Sequence, residues 1–200
     1  MPPAPAIQPA FGDAVRDSQS VFRLAMDAMA APGKIQGLSV RFVAPEPLHA
    51  PAAALLLTLC DFETRLWLDP PLARAVAVVE FLRFHTGARI VASPADADFA
   101  VMADAPGMPE LAAFPQGAPD YPDRSATLVV QVETLSAAGW KLEGPGIRDA
   151  VRFSAAPLPA DFARQVGRNR SFFPCGVDIF FTTPGKLAAL PRSVRVTEAA

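Results

Sequence analysis

Short stretches with strand-like and helix-like patterns are mixed along this 200-residue chain, and that mixture is what most restricts its fold. Thr127 to Val132 is continuous and rich in β-branched residues, the clearest strand, whereas Ala50 to Leu59 has the composition of a helix buried on most sides. Some segments have β-hairpin spacing and others require helical crossovers. We therefore predict an α/β domain with a mixed β-sheet and helices on both of its faces.

Local signals place the remaining elements. Asp13 can cap a first helix whose apolar positions share one face, and Pro32-Gly33 ends it. The long proline- and glycine-rich segment Pro106–Asp123 is predicted to be a loop with a function or an interface. The apolar face of this first helix comprises Val15, Phe22, Ala25, Met26 and Met29. Further helices are predicted at Ala73–Phe84 and from Asp161. Further strands are predicted at Arg65–Leu68, Arg89–Ala92, Phe99–Met102, Trp140–Leu142, Ala150–Phe153, Val177–Thr182 and Val194–Thr197.

Composition indicates one folded domain over residues 1–200, with residues 1–10 as a flexible lead-in. Apolar residues make up 51% of the chain and charged residues 19%, which supports a packed core. The formal charge of −2 argues against a general nucleic-acid or membrane-surface binder.

The chain has the features of a soluble, cytoplasmic protein. Its only cysteines, Cys60 and Cys175, have no CxxC spacing, so a disulfide scaffold is not expected. The first basic residue is Arg16, and no early positive charge precedes an apolar core as in a secretory signal. The longest strongly apolar stretch is much shorter than the ~20 residues that a membrane-spanning helix needs.

Familiar catalytic motifs are absent from the sequence: there is no P-loop, no GxGxxG after a strand, no HExxH and no GxSxG. His49 and His85 have no second ligand nearby, so we predict no metal site. We interpret His49 as a surface residue and assign no catalytic residue.

Two segments are candidates for contact with an anion. Arg83 and His85 lie at a predicted helix end, where they either cap the helix or bind an anion. Gly144 and Gly146 flank a proline in a turn that either joins two strands or lets the backbone approach a phosphate.

The strongest cluster runs from Arg164 to Asp178. Arg168, Asn169 and Arg170 are followed at once by Phe172 and Phe173, which brings charge and apolar bulk together. Arginine recognises phosphate and carboxylate groups through paired hydrogen bonds, and aromatic residues beside arginine also suit a protein interface. The alternative is that this segment has no binding role and is a solvated helix end that leads into a core strand. The ligand-binding or interface candidates are therefore Arg83, His85, Gly144, Gly146, Arg168, Asn169, Arg170, Phe173 and Asp178.

Seven segments in order resemble the PhnH family, over about residues 11–197. The family is the PhnH subunit of bacterial carbon–phosphorus lyase, and no single motif carries the resemblance. The segments are Phe22–Gly33, Leu56–Thr64, Leu82–Thr86, Tyr121–Thr127, Gly144–Ile147, Phe173–Asp178 and Ala189–Arg192.

The resemblance implies a subunit that assembles with PhnG, PhnI and PhnJ and acts with PhnL. That system forms α-D-ribose 1-methylphosphonate 5-triphosphate from ATP and methylphosphonate. The resemblance also implies a homodimer and a fold similar to pyridoxal-phosphate-dependent transferases without the cofactor. A pyridoxal enzyme needs a Schiff-base lysine, and none of Lys34, Lys141 and Lys186 lies in a recognisable cofactor motif.

Three functional hypotheses follow. The first is a structural or substrate-handling subunit of the complex. The second is a self-sufficient transferase that acts on an anion through Arg83/His85 and Arg168/Arg170, which requires both segments to meet at one cavity. The third is a dimeric scaffold that binds no ligand.

Overall fold

The computed structural model describes residues 9–197, so the first eight residues of the predicted lead-in lie outside it. Both cysteines are free thiols, and no helix among the described residues could span a membrane. The helices are α1 Ala14–Ala30, α2 Ala50–Leu59, α3 Pro70–Arg74, α4 Val76–Thr86 and α5 Phe162–Ser171, with single 3-10 turns at Pro94–Asp96 and Leu111–Ala113. The strands are β1 Gln36–Gly37, β2 Arg65–Leu68, β3 Arg89–Val91, β4 Phe99–Met102, β5 Gln116–Ala118, β6 Tyr121–Ser125, β7 Thr127–Gln131, β8 Thr134–Glu143, β9 Val151–Ala156, β10 Asp178–Thr183, β11 Lys186–Leu190 and β12 Arg195–Thr197.

A seven-stranded mixed sheet forms the centre of the molecule, in the order β1-β11-β10-β7-β4-β2-β3. Strands β10, β7, β4, β2 and β3 are parallel to one another. At one edge of the sheet, β11 pairs antiparallel with β10, and β1 pairs antiparallel with β11. Two smaller sheets, β12-β8-β9 and β5-β6, complete the structure. The predicted mixed α/β architecture is confirmed.

The central strands are buried on both faces, and their side chains alternate between two cores. Val129 points to a core formed with α1, α2 and α4. Its neighbours Leu128 and Val130 point to the other core, formed with α5, β8 and β9. Burial on both faces requires a layer on each side of the sheet. Helices therefore lie on both faces, and on the second face the small three-stranded sheet covers the centre together with α5.

The predicted apolar face of α1 is only partly right. Ala25 is buried as predicted and Met29 packs against the core, but Val15, Phe22 and Met26 are exposed. The helix also buries Val21 and Ala28. The small side chains allow α1 to approach the alanine-rich helix α2 closely. The capping prediction is confirmed, because the Asp13 carboxylate accepts a hydrogen bond from the backbone N–H of Arg16 at 3.1 Å.

Two other predicted segments need correction. Residues 73–84 do not form one helix, because the backbone is extended at Ala75 and separates α3 from α4. The segment Pro106–Asp123 is not a simple loop, since it contains a 3-10 turn and most of the β5–β6 hairpin. That hairpin lies before β7 and brings Tyr121 to the amino end of the parallel strands.

Candidate functional site

Asn169 fixes the turn between α5 and β10. Its side chain is buried, its amide nitrogen donates to the carbonyl of Val177 at 2.9 Å, and its amide oxygen accepts from the Val177 N–H at 2.8 Å. Gly176 lies against the same amide with a φ of +114°, and a Cβ there would be 2.8 Å from the Asn169 oxygen. The predicted ligand candidate Asn169 is thus occupied in holding the turn.

Arg192 ties three segments of the chain together at the amino ends of β7 and β10. Its guanidinium donates to both carboxylate oxygens of Asp178, to the Ser125 hydroxyl and to the carbonyl oxygens of Pro122 and Pro174. The Arg192 and Asp178 side chains are 15% and 22% exposed. We call these five residues the Arg192 network. The predicted candidate Asp178 is therefore the carboxylate partner of an arginine.

The two arginines at the end of α5 also have partners. Arg170 donates through Nε to the Ser193 carbonyl at 3.2 Å. Arg168 lies 3.8 Å from the Glu110 carboxylate, and both side chains are more than half exposed. Such an exposed pair contributes little to stability, so Arg168 is available to a partner molecule, whereas Arg170 is used within the chain.

Aromatic side chains project from the surface above the Arg192 network. Phe172 and Phe173 are 54% and 61% exposed, and Tyr121 is 52% exposed. The Arg124 guanidinium stacks 4.1 Å from the centre of the Tyr121 ring. Because one nitrogen of Arg192 contacts the carbonyls of residues adjacent to Tyr121 and Phe173, the two segments lie side by side. We call Tyr121, Arg124, Phe172 and Phe173 the aromatic patch.

Arg83 and His85 lie elsewhere. Helix α4 packs on one face of the main sheet and α5 on the other. Strand β3, which follows α4, is four positions from β10 in the sheet. The His85 ring packs beside Phe81 and Phe84, with ring centres 4.6 and 5.0 Å away. The arginine segments do not converge, and the transferase hypothesis fails the geometric condition that it required.

Gly144 and Gly146 lie in the turn between β8 and β9. Both have positive φ angles, and a Cβ on Gly146 would approach the Ala30 carbonyl oxygen to 2.1 Å. This turn packs against the end of α1, where a Cβ on Gly33 would lie 2.5 Å from a methyl group of Leu142. Close packing accounts for the glycines, and their contact with a phosphate stays a prediction.

Sequence reasoning missed the residues at the opposite, carboxyl edge of the parallel strands. The buried amide of Gln131, at the end of β7, accepts from the His49 N–H at 2.6 Å and donates to the Pro47 carbonyl at 2.9 Å. His49 is half-buried at the wall of an open cavity, so its interpretation as a surface residue is only partly right. Burial lowers the pKa of His49 against an opposing effect of Glu46. A lone histidine after prolines gave no signal of this contact.

A cavity of about 580 Å³ opens at that edge. The loops that follow β4, β7 and β10 contribute Asp104, Glu133 and Pro184, and His49 and Pro157 complete the wall. We call this cavity the carboxyl-edge crevice. Beside it, Asp69 accepts hydrogen bonds from the backbone N–H groups of Leu72, Ala103 and Asp104 at 3.2, 2.7 and 2.8 Å. Burial raises the Asp69 pKa despite these bonds.

Comparisons with known proteins identify the same family that the sequence motifs resemble. A family model described as bacterial phosphonate metabolism protein (PhnH) matches residues 9–197. A relative from Rhizobium meliloti (strain 1021), alpha-D-ribose 1-methylphosphonate 5-triphosphate synthase subunit PhnH, is 38% identical over 188 residues, which cover 94% of each chain. The chain belongs to the PhnH family of bacterial phosphonate metabolism proteins.

Proposed function

We propose that this chain is a subunit of the carbon–phosphorus lyase core complex and is required there to form α-D-ribose 1-methylphosphonate 5-triphosphate from ATP and methylphosphonate. Its partners are the PhnG, PhnI and PhnJ subunits, with PhnL as a functional partner. The name of the Rhizobium meliloti relative supports a role within a synthase of several subunits. The chain acts in the cytoplasm and organises other subunits rather than catalysing a reaction alone.

The aromatic patch is the observation that carries this proposal. Exposed aromatic residues beside arginine are typical of the residues that dominate binding energy at protein interfaces. Phe172 and Phe173 immediately follow α5, and the buried Asn169 amide and the Arg192 network hold the segment around them. A surface held in this way loses little conformational entropy when it binds, which favours docking of another subunit.

The exposed stripe on α1 supports a homodimer of the isolated chain. Phe22 and Met26 are about half exposed, and Arg23 and Asp27 flank them. A two-fold axis brings the same surface of two copies together. A patch that carries both an apolar pair and one charge of each sign is complementary to itself, so we assign the homodimer contact to α1.

We also propose that the chain has a fold similar to that of pyridoxal-phosphate-dependent transferases but binds no cofactor. Lys34 and Lys186 are exposed, and Lys141 lies 2.7 Å from the Glu143 carboxylate. None of the three lines the carboxyl-edge crevice. These positions support a chain that does not form a Schiff base with a cofactor.

Co-purification tests the docking role. The double variant Phe172→Ala/Phe173→Ala is expected to lose at least tenfold in affinity for the PhnG, PhnI and PhnJ assembly, because each aromatic anchor contributes about 2 kcal/mol. Binding is measured by pull-down and analytical ultracentrifugation, with circular dichroism as the check on folding. The matched control is Phe84→Ala, which removes an equally exposed aromatic ring from the opposite face.

Normal association of the double variant would contradict the assignment of the aromatic patch. Robust conversion of ATP and methylphosphonate by the isolated chain would contradict the subunit role itself. The Phe22→Ala/Met26→Ala variant separates the two surfaces, because it is expected to yield monomers that still join the complex.

A further inference from the structure

Strand β9 is an edge strand, and its side away from β8 is open. It pairs with β8 in the sheet β12-β8-β9, and among residues 9–197 no strand pairs with its other side. Beyond this ladder, the Ala156 carbonyl accepts a hydrogen bond from the N–H of Glu133, directly before β8. Alternate residues of an edge strand direct their N–H and C=O groups away from the ladder. We call this row of outward-pointing backbone groups the β9 edge.

The β9 edge lacks the features that usually protect an exposed strand. Natural edges are kept very short, or carry prolines, lysines or bulges. The two edge strands of the seven-stranded sheet are short, since β1 has two residues and β3 has three. Strand β9 has six residues without proline, lysine or glycine, and the shift in its register with β8 falls between Ser136 and Trp140 on the other strand. It therefore offers an uninterrupted edge about 20 Å long.

The single charged side chain of β9 does not guard this edge. Nη1 of Arg152 donates a hydrogen bond to the carbonyl of Gly139, on β8, at 3.0 Å. The guanidinium is thus held over the neighbouring strand, on the side away from the open one. A strand that approaches the β9 edge meets backbone groups without a charged side chain in front of them.

The solvent-exposed face of the same sheet is basic. Lys141 and Arg152 are directly opposite each other in the register of β8 and β9, and Arg195 is opposite Glu143 across β8 and β12. Within the three strands the face carries three cations and one carboxylate, which lies 2.7 Å from Lys141. Like charges opposite each other destabilise a sheet. An excess of positive charge here, in a chain with a formal charge of −2, is complementary to an acidic partner.

The other face of β9 is apolar. Phe153 and Ala155 are buried in the core, and Val151 is half-buried. Since side chains of paired strands alternate between the same two faces, a strand added to β9 places every second side chain beside these apolar groups. The remaining side chains lie beside Arg152. The surroundings of the edge thus favour a segment in which apolar and acidic residues alternate.

We propose that the β9 edge pairs with an extended segment of another protein chain in which apolar and acidic residues alternate. The segment adds a fourth strand to β12-β8-β9, so that main-chain hydrogen bonds hold it and the alternating side chains select it. A second copy of this chain is a poor occupant, because pairing two β9 edges brings two basic faces together. The site uses neither the aromatic patch nor α1.

Fluorescence polarisation of the full chain with labelled peptides tests the proposal. The probe is a peptide of about eight alternating valine and glutamate residues, long enough to span β9. It is expected to bind with saturation, and the corresponding valine–lysine peptide at least about tenfold more weakly, because lysine side chains lie beside Arg152. Hexaglutamate has the charge without the apolar alternation and is expected to bind at least about tenfold more weakly as well.

Two measurements show whether the peptide binds as a strand. Hydrogen exchange is expected to slow at alternate amides of residues 151–156 when the valine–glutamate peptide is bound, since those N–H groups gain acceptors. Peptides N-methylated at all valines or at all glutamates each lose the donors along one side. At least one of the two is expected to bind about tenfold or more weakly.

The variant Arg152→Glu is expected to weaken binding of the valine–glutamate peptide about tenfold or more, with exchange of the β8–β9 amides as the check that the ladder is intact. The control Arg74→Glu reverses an exposed charge on α3 and is expected to leave affinity unchanged. No saturation at about 1 mM peptide, equal binding of hexaglutamate or of both methylated peptides, or protection confined to residues outside β9 would overturn the proposal. Dissociation of a homodimer by the peptide would assign the edge to a second copy and overturn it too. Assembly with other subunits is measured separately, so failure here leaves the docking test intact.

Discussion

The two edges of the parallel sheet are built in opposite ways. At the amino edge, Arg192 and Asn169 hold the polar groups of three chain segments, and aromatic rings with arginine beside them project outward. At the carboxyl edge, carboxylates line an open cavity, and two buried polar atoms have no partner among the described residues. A closed network with exposed rings suits a protein partner. An open, acceptor-rich cavity suits a small ligand.

The comparison also shows where the family motifs meet. Tyr121–Thr127, Phe173–Asp178 and Ala189–Arg192 are distant in sequence and meet at the Arg192 network. None of the seven segments that resemble the family contributes to the carboxyl-edge crevice. Three of the seven motifs therefore build the amino edge, and none of the seven describes the crevice at the opposite edge.

The sharpest test of the contrast is Arg192→Met. Removing the guanidinium leaves the Asp178 carboxylate and two carbonyl oxygens without their shared donor, and losing one partner of a largely buried pair costs about 3–5 kcal/mol. The melting temperature is then expected to fall by roughly 6–20 °C, measured by calorimetry. At the carboxyl edge, Glu133→Gln is expected to change stability by less than about 0.5 kcal/mol, since it removes no contact. Equal losses in both variants would remove the distinction between the edges.

A smaller loss is expected for Asn169→Ala. The substitution leaves the buried N–H and C=O groups of Val177 without partners, and each unsatisfied group costs about 1–3 kcal/mol. Urea unfolding should show a loss of at least about 2 kcal/mol. The neighbouring variant Arg168→Ala removes only an exposed ion pair and serves as the control. A loss below about 0.5 kcal/mol for Asn169→Ala would show that the turn does not depend on this amide.

The smallest expected effect concerns the pH dependence of stability. Asp98, directly before β4 at the amino edge, and Asp69, directly after β2 at the carboxyl edge, are expected to contribute with opposite signs. Burial acts to raise the pKa of Asp98, but hydrogen bonds from the Arg65 side chain and backbone outweigh it and hold the pKa below its usual 3.8. The Asp98 contribution to stability is therefore complete above pH ~3.8 and is lost as the pH falls through the lower folded value. At the carboxyl edge burial raises the Asp69 pKa, so its contribution declines as the pH rises above 3.8 towards the folded value.

Urea unfolding between about pH 3 and pH 6 resolves these signs. The stability difference between the parent chain and Asp98→Asn should grow with pH by less than about 1 kcal/mol, because the pair is partly exposed. The difference for Asp69→Asn should shrink over the same range. Parallel trends for the two variants would contradict the contrast.

Much of the fold could be predicted because its signals are local. The limits predicted for α2, β2 and β4 agree with the structure, since each is a short apolar run between clear breaks. Strand β11 was not predicted, because alanine and leucine favour a helix and only pairing with β10 makes this segment a strand. The buried face of α1 was predicted only in part, because Val21 and the small residues Ala25 and Ala28, and not the large side chains Phe22 and Met26, make its contact.

The candidate site was predicted only in outline. The segment from Arg168 to Asp178 was identified by its arginines and aromatic rings, which are visible in sequence. The partners of Asn169 and Asp178 were not, because Arg192 is 14 residues from Asp178 and 70 from Pro122. Gln131 and His49 are 82 residues apart.

The sequence by itself determined the fold class, most of the elements and the family, since each of these depends on local pattern or on the order of short motifs. Only the tertiary structure decided which polar residues form hydrogen bonds within the chain and which remain available to bind another molecule. Asn169 and Asp178 resembled ligand contacts until the fold supplied Val177 and Arg192 as their partners. The physical reason is that hydrogen-bond satisfaction depends on distances in space, and contacts across dozens of residues are formed only when the sheet assembles.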